Sequence, residues 1–292
     1  MSNADGYYID VNEDGFGKCL VLTAPWRNEL AKLMASQNIT VLRLSSSAGW
    51  KDNDISFVAN LDFLVGVEIY SWEVKDISSI FLNTGLRYVA IQCDINFISD
   101  FKVLKNLEIC KLAWQPKIIG LETCIKLRHL NIDRYPDVDL VNLTPLTMLE
   151  NLTITGSKLV SLNGAEAMIR LKNFVAISCQ KLTNISALVA CTELELMEFH
   201  SCKKLSELPL NISIDSLRVV SLVDCGKIKT LAPLANCKNL KKLRFIGDTS
   251  IIDGNLDFLL GHPTVNDVWY ATKSHYSINR EELQKRLQLK FS

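Results

Sequence analysis

Hydrophobic residues recur along the chain with the spacing L-x-x-L-x-L, in which apolar side chains occupy the first, fourth and sixth positions. The last two of these positions lie two residues apart, as in a strand that buries one of its faces. The pattern therefore predicts a series of short strands, each followed by a return segment with apolar residues of its own. Clear copies are Leu127-x-x-Leu130-x-Ile132, Leu149-x-x-Leu152-x-Ile154, Leu217-x-x-Val220-x-Leu222 and Leu240-x-x-Leu243-x-Phe245.

The last apolar residue of each copy serves as an anchor that gives the period of the repeat. The anchors are Leu22, Leu44, Ile69, Ile91, Leu112, Ile132, Ile154, Ile177, Phe199, Leu222, Phe245 and Tyr270. Successive anchors are 20 to 25 residues apart, a period typical of leucine-rich repeats. Because no single repeat covers its own apolar side, neighbouring repeats stack into one core. We therefore predict an α/β leucine-rich repeat solenoid (horseshoe) with one parallel concave sheet, short helical or irregular convex arcs, and helical end caps.

Both ends of the repeat region have features of helical caps. Trp26–Ala35 follows a Thr-Ala-Pro segment and spaces its apolar residues as a helix does. Asn279 and Glu282 resemble a capping box that opens a second helix. Caps of this kind protect the ends of a solenoid from solvent. The predicted parts are residues 1–38 (N-terminal segment, first strand and cap helix), 39–270 (leucine-rich repeats) and 271–292 (C-terminal cap helix).

The composition excludes several classes of protein. Hydrophobic residues make up 48% of the 292 residues, too many for a globally disordered chain. Lys and Arg together number 32, as do Asp and Glu, so the chain lacks the basic surplus of a nucleic-acid-binding domain. No apolar run reaches the roughly 18 residues that a membrane span needs. The segment from Met1 to Asp14 is acidic and has no apolar stretch, so we expect no signal peptide.

The chain contains nine cysteines and no CxxC pair. Together with the expected lack of a signal peptide, this favours reduced thiols in a cytoplasmic protein. Cys202 and Cys225 each lie three residues after an anchor, where the leucine-rich consensus takes Asn or Cys. We interpret them as small buried hydrophobic residues. A metal site is the alternative, but the expected ligand spacing is missing.

Residues that would carry chemistry are few. Asp10–Gly15 resembles the start of an EF-hand calcium loop, but the twelfth position, which should be Glu, is Val21. We interpret this segment as an acidic turn before the cap. The sequence has no HExxH motif, no Gly-rich phosphate loop and no Ser/His/Asp order of a known hydrolase. We therefore expect a protein that is not an enzyme and that uses no cofactor and no metal. A hydrolase built on the arc loops is the alternative.

Aromatic and charged residues gather on the predicted open face of the third to sixth repeats. They alternate with core residues, so the sheet should project them together onto its concave side. Exposed Tyr, Trp and Arg are typical of hot spots in protein interfaces, and we predict a partner-binding surface here. The alternative is that Trp72 and Trp114 fold over the strand ends and pack on neighbouring loops. The predicted contact residues are Glu68, Tyr70, Trp72, Tyr88, Gln92, Lys111, Trp114, Asp133, Arg134 and Tyr135.

A second, basic set lies near the end of the repeats. Such a set suits an acidic partner or RNA, and a solvated basic end is the alternative explanation. The neutral charge balance of the chain makes nucleic acid the weaker of the two partners. The residues are Lys241, Lys242, Arg244, Trp269, Lys273, His275 and Arg280.

From Ile39 to Tyr270 the chain resembles bacterial leucine-rich repeat proteins of the small cytoplasmic type. Units such as Leu182–Leu188 and Ile228–Leu234 are similar to the outer arcs of internalins. The tail around His275–Ser277 resembles the ends of small bacterial leucine-rich repeat proteins, some of which are thought to be immunity partners of secreted toxins.

This resemblance implies a non-enzymatic protein–protein interaction module. In its most concrete form the chain is an immunity protein that binds and occludes a toxin domain through the concave face, with no nucleic acid or membrane as partner. The alternative is an exported adhesin or scaffold that binds a host or cell-surface protein.

Overall fold

The computed structural model describes residues 5–291. The chain forms two compact units, Met1–Ile132 and Asp133–Ser292. In both units, short strands alternate with arcs at the predicted period, and the fold is a leucine-rich repeat solenoid with a parallel sheet. No helix in the described part of the chain is long and apolar enough to cross a membrane.

The sheet of the first unit contains the strand order β1-β2-β3-β4-β5-β7-β9. Strand β1 runs antiparallel to β2, and the strands from β2 to β7 in this order are parallel neighbours. The two shortest strands, β6 and β8, pair with each other in the arcs. Strands β1 to β9 are Tyr7–Val11, Lys18–Leu22, Val41–Ser45, Gly66–Tyr70, Tyr88–Gln92, Ser99–Asp100, Ile109–Ala113, Ile118–Ile119 and His129–Asp133.

The sheet of the second unit contains the strand order β10-β11-β12-β13-β15-β17, and all of these neighbours are parallel. The short strands β14 and β16 pair in the arcs. Strands β10 to β17 are Asn151–Thr155, Asn173–Ile177, Leu196–His200, Val219–Val223, Lys227–Ile228, Lys242–Ile246, Ser250–Ile251 and Asp267–Tyr270.

Strand register confirms the repeat frame and corrects one anchor. In the first unit Leu22, Leu44, Ile69, Ile91 and Leu112 lie side by side on neighbouring strands. All of them point into the core with at most 3% of their surface exposed. Each such side chain contributes about 1.5–3 kcal/mol through burial.

The wrong anchor is Ile177. The residue in register with the neighbouring anchors Ile154 and Phe199 is Ala176, whereas Ile177 pairs with Thr155 and His200 on the half-exposed row. Four apolar residues, Phe174 to Ile177, follow one another at this point of the chain, so alternation alone does not fix which of them face inward.

The arcs contain 3-10 helices, and six of these helices begin in the same way. A side-chain oxygen accepts a hydrogen bond from the backbone N–H two residues further on, as Asp76 does from Ser78 (2.8 Å) and Asn184 from Ser186 (2.9 Å). This local bond favours a turn at the start of these arcs. The 3-10 helices are Ser46–Ala48, Ser56–Asn60, Ser78–Leu82, Phe101–Val103, Leu121–Thr123, Val141–Leu143, Ala165–Ala167, Ser186–Ala190 and Ala232–Asn236.

Three α-helices complete the described structure. The first, α1, covers Glu29–Ser36 and begins three residues later than the predicted helix. A short helix α2 covers Phe258–Gly261, and α3 covers Arg280–Phe291 near the C-terminus. Asn279 caps α3, since its side-chain oxygen accepts a hydrogen bond from the backbone N–H of Glu282 at 2.9 Å.

All nine cysteines are buried and free. Burial raises the pKa of the Cys93 thiol and that of the Cys191 thiol to about 12. Cys202 and Cys225 occupy the consensus position after the strand, where Cys225 donates a hydrogen bond to the carbonyl of Phe199 at 3.1 Å. Among the described residues no group of three or more His, Cys, Asp or Glu side chains is arranged to hold a metal ion.

Candidate functional site

The loop between β1 and β2, Asn12–Gly17, lies over the open face of the first unit's sheet; we call it the N-terminal loop. The Phe16 ring stacks on Tyr88 of β5, with ring centroids 5.4 Å apart and an angle of 9° between the planes. The Arg87 guanidinium lies 5.4 Å from the centroid of the Phe16 ring on which it packs. Phe16 also contacts the apolar cluster that contains Tyr88 and Ile109. This part of the sheet is therefore covered by the chain's own N-terminal segment.

Local hydrogen bonds give the N-terminal loop its shape. The side-chain oxygen of Asn12 accepts hydrogen bonds from the backbone N–H groups of Asp14 (3.0 Å) and Phe16 (3.2 Å). Gly15 and Gly17 have φ angles of 86° and 83°, which residues other than glycine rarely adopt. Of the predicted acidic turn Asp10–Gly15, the part from Asn12 onwards is a tight turn that directs Phe16 onto the sheet, whereas Asp10 and Val11 belong to β1.

A buried ion pair lies beneath the N-terminal loop. Glu68 of β4 is only 1% exposed, and its carboxylate accepts a hydrogen bond from Arg43 Nε at 2.5 Å and from Asn12 Nδ2 at 2.8 Å. Arg43 also lies 3.0 Å from Asp10 of β1. The hydrogen bond to Glu68 raises the pKa of the Arg43 guanidinium. These contacts fasten both the strand β1 and the N-terminal loop to the sheet.

A second ion pair fixes the tip of the N-terminal loop. Lys111 Nζ of β7 lies 2.6 Å from Asp14 Oδ2 and 5.8 Å from the centroid of the Tyr88 ring. Gly66 makes room for that ring, because a Cβ atom at this position would lie 2.8 Å from Tyr88 Cδ1.

In the first unit the structure brings four of the predicted contact residues together: Glu68, Tyr70, Tyr88 and Lys111. They lie beneath the N-terminal loop and not on an open surface. Glu68 and Tyr88 are each 1% exposed, so the expectation that they project into solvent is wrong. Tyr70 and Lys111 are half-buried, and burial raises the pKa of the Tyr70 hydroxyl to about 12. Glu68, Tyr88 and Lys111 contact the N-terminal loop directly. Tyr70 packs against the apolar cluster on which Phe16 also packs.

The remaining predicted contact residues differ in exposure. In the first unit Trp72 is 54% exposed, Gln92 is exposed and Trp114 is half-buried. In the second unit Arg134 is exposed and has a φ angle of 57°, whereas Tyr135 is 1% exposed, contrary to expectation. Asp133 is half-buried. The role of all ten residues in binding stays a prediction.

Sequence reasoning missed a set of exposed apolar side chains beside Trp72. These residues lie at the starts of three neighbouring arcs, and we call them the arc patch. Backbone hydrogen bonds join the arcs, from Asn96 to the Lys75 carbonyl and from Ser99 to the Lys117 carbonyl, both 2.9 Å. The arc patch consists of Trp72 (54% exposed), Phe97 (56%), Ile98 (71%) and Ile119 (45%).

The basic set near the end of the repeats is only partly gathered. Arg244 and Trp269 lie in register on β15 and β17, and the Arg280 guanidinium packs 5.3 Å from the centroid of the Trp269 ring. Lys242 is 3.8 Å from Asp267, so its charge is partly balanced. His275 Nε2 contacts the carbonyl of Ile251 at 2.8 Å. Lys241 is exposed and Lys273 is half-buried.

The sequence matches no family model and no curated protein. Solved structures match the fold. An internalin, InlF from Listeria monocytogenes, is similar with a TM-score of 0.59 and 17% identity over 91% of this chain and 84% of that one. The functional domain of InlJ from the same species has a TM-score of 0.50 and 14% identity over 85% of this chain and 66% of that one.

At these identities the likeness shows the fold alone. It supports the resemblance of the repeats to those of bacterial internalins. The small cytoplasmic type stays a prediction.

Proposed function

We propose that this chain is a non-enzymatic protein-binding module and that the arc patch contacts its partner. The supporting observation is that Trp72, Phe97 and Ile98 each leave more than half of their side chain exposed. Several large apolar side chains on neighbouring arcs are unfavourable in water unless another surface covers them. Trp is also among the residues most often found at the energetic centre of interfaces.

The scaffold behind the arc patch supports this function. The arcs are joined to one another by backbone hydrogen bonds such as that between Ser99 and Lys117. They also continue directly into strands whose apolar side chains are buried. A rigid scaffold loses little conformational freedom when a partner binds, so more of the contact energy appears as affinity.

The N-terminal loop decides which part of the first unit a partner reaches. It covers Tyr88 and Glu68, so the centre of the sheet is already in contact with protein. Trp72 and Gln92 remain accessible at the ends of β4 and β5. We therefore place the interface at the strand ends and the arcs that follow them, rather than at the middle of the open face.

In its most concrete form the module is a cytoplasmic immunity protein that occludes a toxin domain. The resemblance of its tail to those of small bacterial leucine-rich repeat proteins motivates this form. The mechanism would be steric, because this chain would cover the active surface of a toxin domain that is bound at the arc patch.

The test is capture of a partner with three baits: the unaltered protein, the double variant Trp72→Ala/Phe97→Ala, and the control Leu82→Ala/Ile125→Ala. The control removes two exposed apolar side chains of the same unit outside the arc patch. A partner identified by mass spectrometry is then purified and its affinity measured by calorimetry. We expect at least tenfold weaker binding for the first variant, because hot-spot residues contribute about 2 kcal/mol or more, and no change for the control.

If both variants bind the partner with equal affinity, the arc patch is not the surface that contacts it. If the unaltered bait captures no protein from the source cells or from their surroundings, the binding function is wrong. A captured toxin whose activity falls to zero at an equimolar ratio supports the immunity role. A partner without toxic activity contradicts that role.

A further inference from the structure

A pocket of about 270 Å³ opens on the sheet face of the second unit. One residue from each of four neighbouring strands forms its central row, in the order Glu198 (β12), Ser221 (β13), Arg244 (β15) and Trp269 (β17). Neighbouring strands are spaced roughly 4.8 Å apart, so an acid, a hydroxyl, a base and an indole follow one another at that interval. The small Ser221 side chain between larger neighbours creates the depression.

The Ser221 hydroxyl lies at the floor of this pocket without a hydrogen-bond partner. Ser221 is 2% exposed, and its Oγ is among the few buried side-chain oxygens in the described structure that have no partner. Buried hydroxyls in proteins are almost always hydrogen-bonded. The Ser221 hydroxyl therefore has an uncommitted proton, which it can donate to an acceptor atom in the pocket once the side chains that cover it move aside.

Arg244 is the unbalanced charge of the pocket. Within the part of the chain that the structure describes, no carboxylate lies at ion-pair distance from its exposed guanidinium. Of the nearby acids, Asp267 lies 3.8 Å from Lys242, and Glu198 lies two strands away from Arg244. A planar guanidinium binds a carboxylate through two parallel hydrogen bonds, a geometry that a lysine does not offer.

The opposite wall limits which anion fits. The Glu198 carboxylate lies two strands from Arg244 and repels a second negative charge in the pocket. A group with a single charge is therefore favoured over a phosphate with nearly two. The Trp269 indole beside Arg244 is 48% exposed although Arg280 packs on its ring, and its exposed part offers an apolar surface for the carbon chain of such a group.

We propose that this pocket binds an aspartate or glutamate side chain of the protein partner. The proposal rests on the proposed function, because it assigns a second point of contact to the same partner. The Arg244 guanidinium donates two hydrogen bonds to the carboxylate and the Ser221 hydroxyl donates one. The methylene groups of the bound residue lie on the Trp269 indole. Protein segments that present an acidic residue next to an apolar one fit this site best.

The test follows the indole N–H signal of Trp269 by NMR, assigned with the variant Trp269→Phe. The probe is N-acetyl-glutamate N-methylamide, and the matched control is N-acetyl-glutamine N-methylamide, which has the same shape and no charge. We expect a saturable shift with the glutamate derivative and at least tenfold weaker binding of the glutamine derivative. Inorganic phosphate is titrated as a third ligand and should bind more weakly than the glutamate derivative.

Variants assign the binding to the pocket. Arg244→Gln should abolish the shift and Ser221→Ala should weaken binding severalfold, whereas Lys241→Gln, which removes an exposed positive charge just before β15, should leave it unchanged. Equal responses to the glutamate and glutamine derivatives, tighter binding of phosphate, or full binding by Arg244→Gln would overturn the proposal.

The same variants separate this proposal from the proposed function. If a captured partner binds Arg244→Gln with full affinity but binds Trp72→Ala/Phe97→Ala much more weakly, the proposed binding function stands and the assignment of the pocket is wrong. If the glutamate derivative binds but no protein partner exists, the carboxylate site stands and its role in partner binding is wrong.

Discussion

Lys111 and Asp14 are 97 residues apart in the chain, yet Lys111 Nζ lies 2.6 Å from Asp14 Oδ2. This ion pair connects the fifth strand of the sheet's parallel series to the tip of the N-terminal loop. With the Phe16–Tyr88 stack and the Glu68–Asn12 hydrogen bond, it makes the loop a part of the first unit's tertiary structure. The loop thus contributes to the stability of the unit as well as to the shape of its surface.

Replacement of Phe16 by Ala should destabilise the first unit by about 1–2 kcal/mol, because it removes the stack on Tyr88 and the contact with Arg87. It also uncovers the apolar cluster around Tyr88, so binding of a hydrophobic dye such as anilinonaphthalene sulfonate should increase. The measurements are urea denaturation and dye fluorescence. Val11→Ala, which alters a 68% exposed side chain of β1, is the control and should change neither. An unaltered midpoint for Phe16→Ala would show that the loop does not stabilise the fold.

Replacement of Glu68 by Gln should destabilise the protein by about 2 kcal/mol, because it leaves the Arg43 guanidinium beside a buried neutral group. The loss should be smaller than for a fully buried pair, since Asp10 still accepts from Arg43 at the surface. Chemical denaturation measures the change. The matched control is Lys75→Gln, which breaks an exposed pair with Asp94 and should change stability by about 0.5 kcal/mol or less.

A double variant distinguishes pairing from packing at the same position. Arg43→Met combined with Glu68→Leu removes both charges, and its destabilisation should be smaller than the sum of the two single changes. Strict additivity would mean that the charges do not interact in the folded protein.

The repeat could be predicted from sequence because it depends on short-range alternation. Leu42 and Leu44 are two residues apart and face the same side of β3, as the pattern requires. The position of Ile177 was predicted wrongly where Val175, Ala176 and Ile177 are all apolar and only register with neighbouring strands decides which faces inward.

The candidate site could be predicted only in part, because the N-terminal loop that covers this face of the sheet is distant from it in sequence. The acidic turn of the N-terminal loop was recognised from its residues, but nothing local identifies Arg43 and Lys111 as its partners. Phe97 and Ile98 were missed for another reason. In sequence, an exposed apolar residue looks the same as a buried one.

Thiol reagents should react slowly with the native protein. All nine cysteines lie in the described part of the chain and are buried, and burial raises the pKa of Cys93 to about 12 and that of Cys110 well above its usual value. The reactive thiolate of these two residues is therefore scarce near neutral pH. A hydrogen bond with Cys202 lowers the pKa of Cys179 to about 6, so it is burial that keeps this thiol from the reagent. With Ellman's reagent we expect no fast phase in buffer and reaction of all nine thiols in concentrated urea. A fast phase of one equivalent in buffer would reveal a repeat that opens locally.

His262 should make the second unit less stable in mild acid. The residue is 3% exposed, and its Nδ1 accepts hydrogen bonds from the backbone N–H groups of Thr264 (3.4 Å) and Val265 (3.3 Å). Burial lowers the pKa of His262 below the usual 6.5, and the charge of Lys290 lowers it further. The folded protein therefore holds the neutral ring at a pH where the unfolded chain has begun to bind a proton.

The sign of the pH dependence follows from this difference in proton uptake. The contribution of the neutral His262 ring is complete above the unfolded pKa of about 6.5 and declines as the pH falls through that value towards the lower folded pKa. We expect the melting temperature to fall between pH 7 and pH 5, and the fall to be smaller in His262→Gln, whose amide accepts the same kind of hydrogen bond without titrating. His200→Gln removes a histidine from the open face of the same unit. Its melting temperature should fall as much between pH 7 and pH 5 as that of the unaltered protein. If His262→Gln and the unaltered protein lose stability in parallel over this range, the ring of His262 is not the group that titrates.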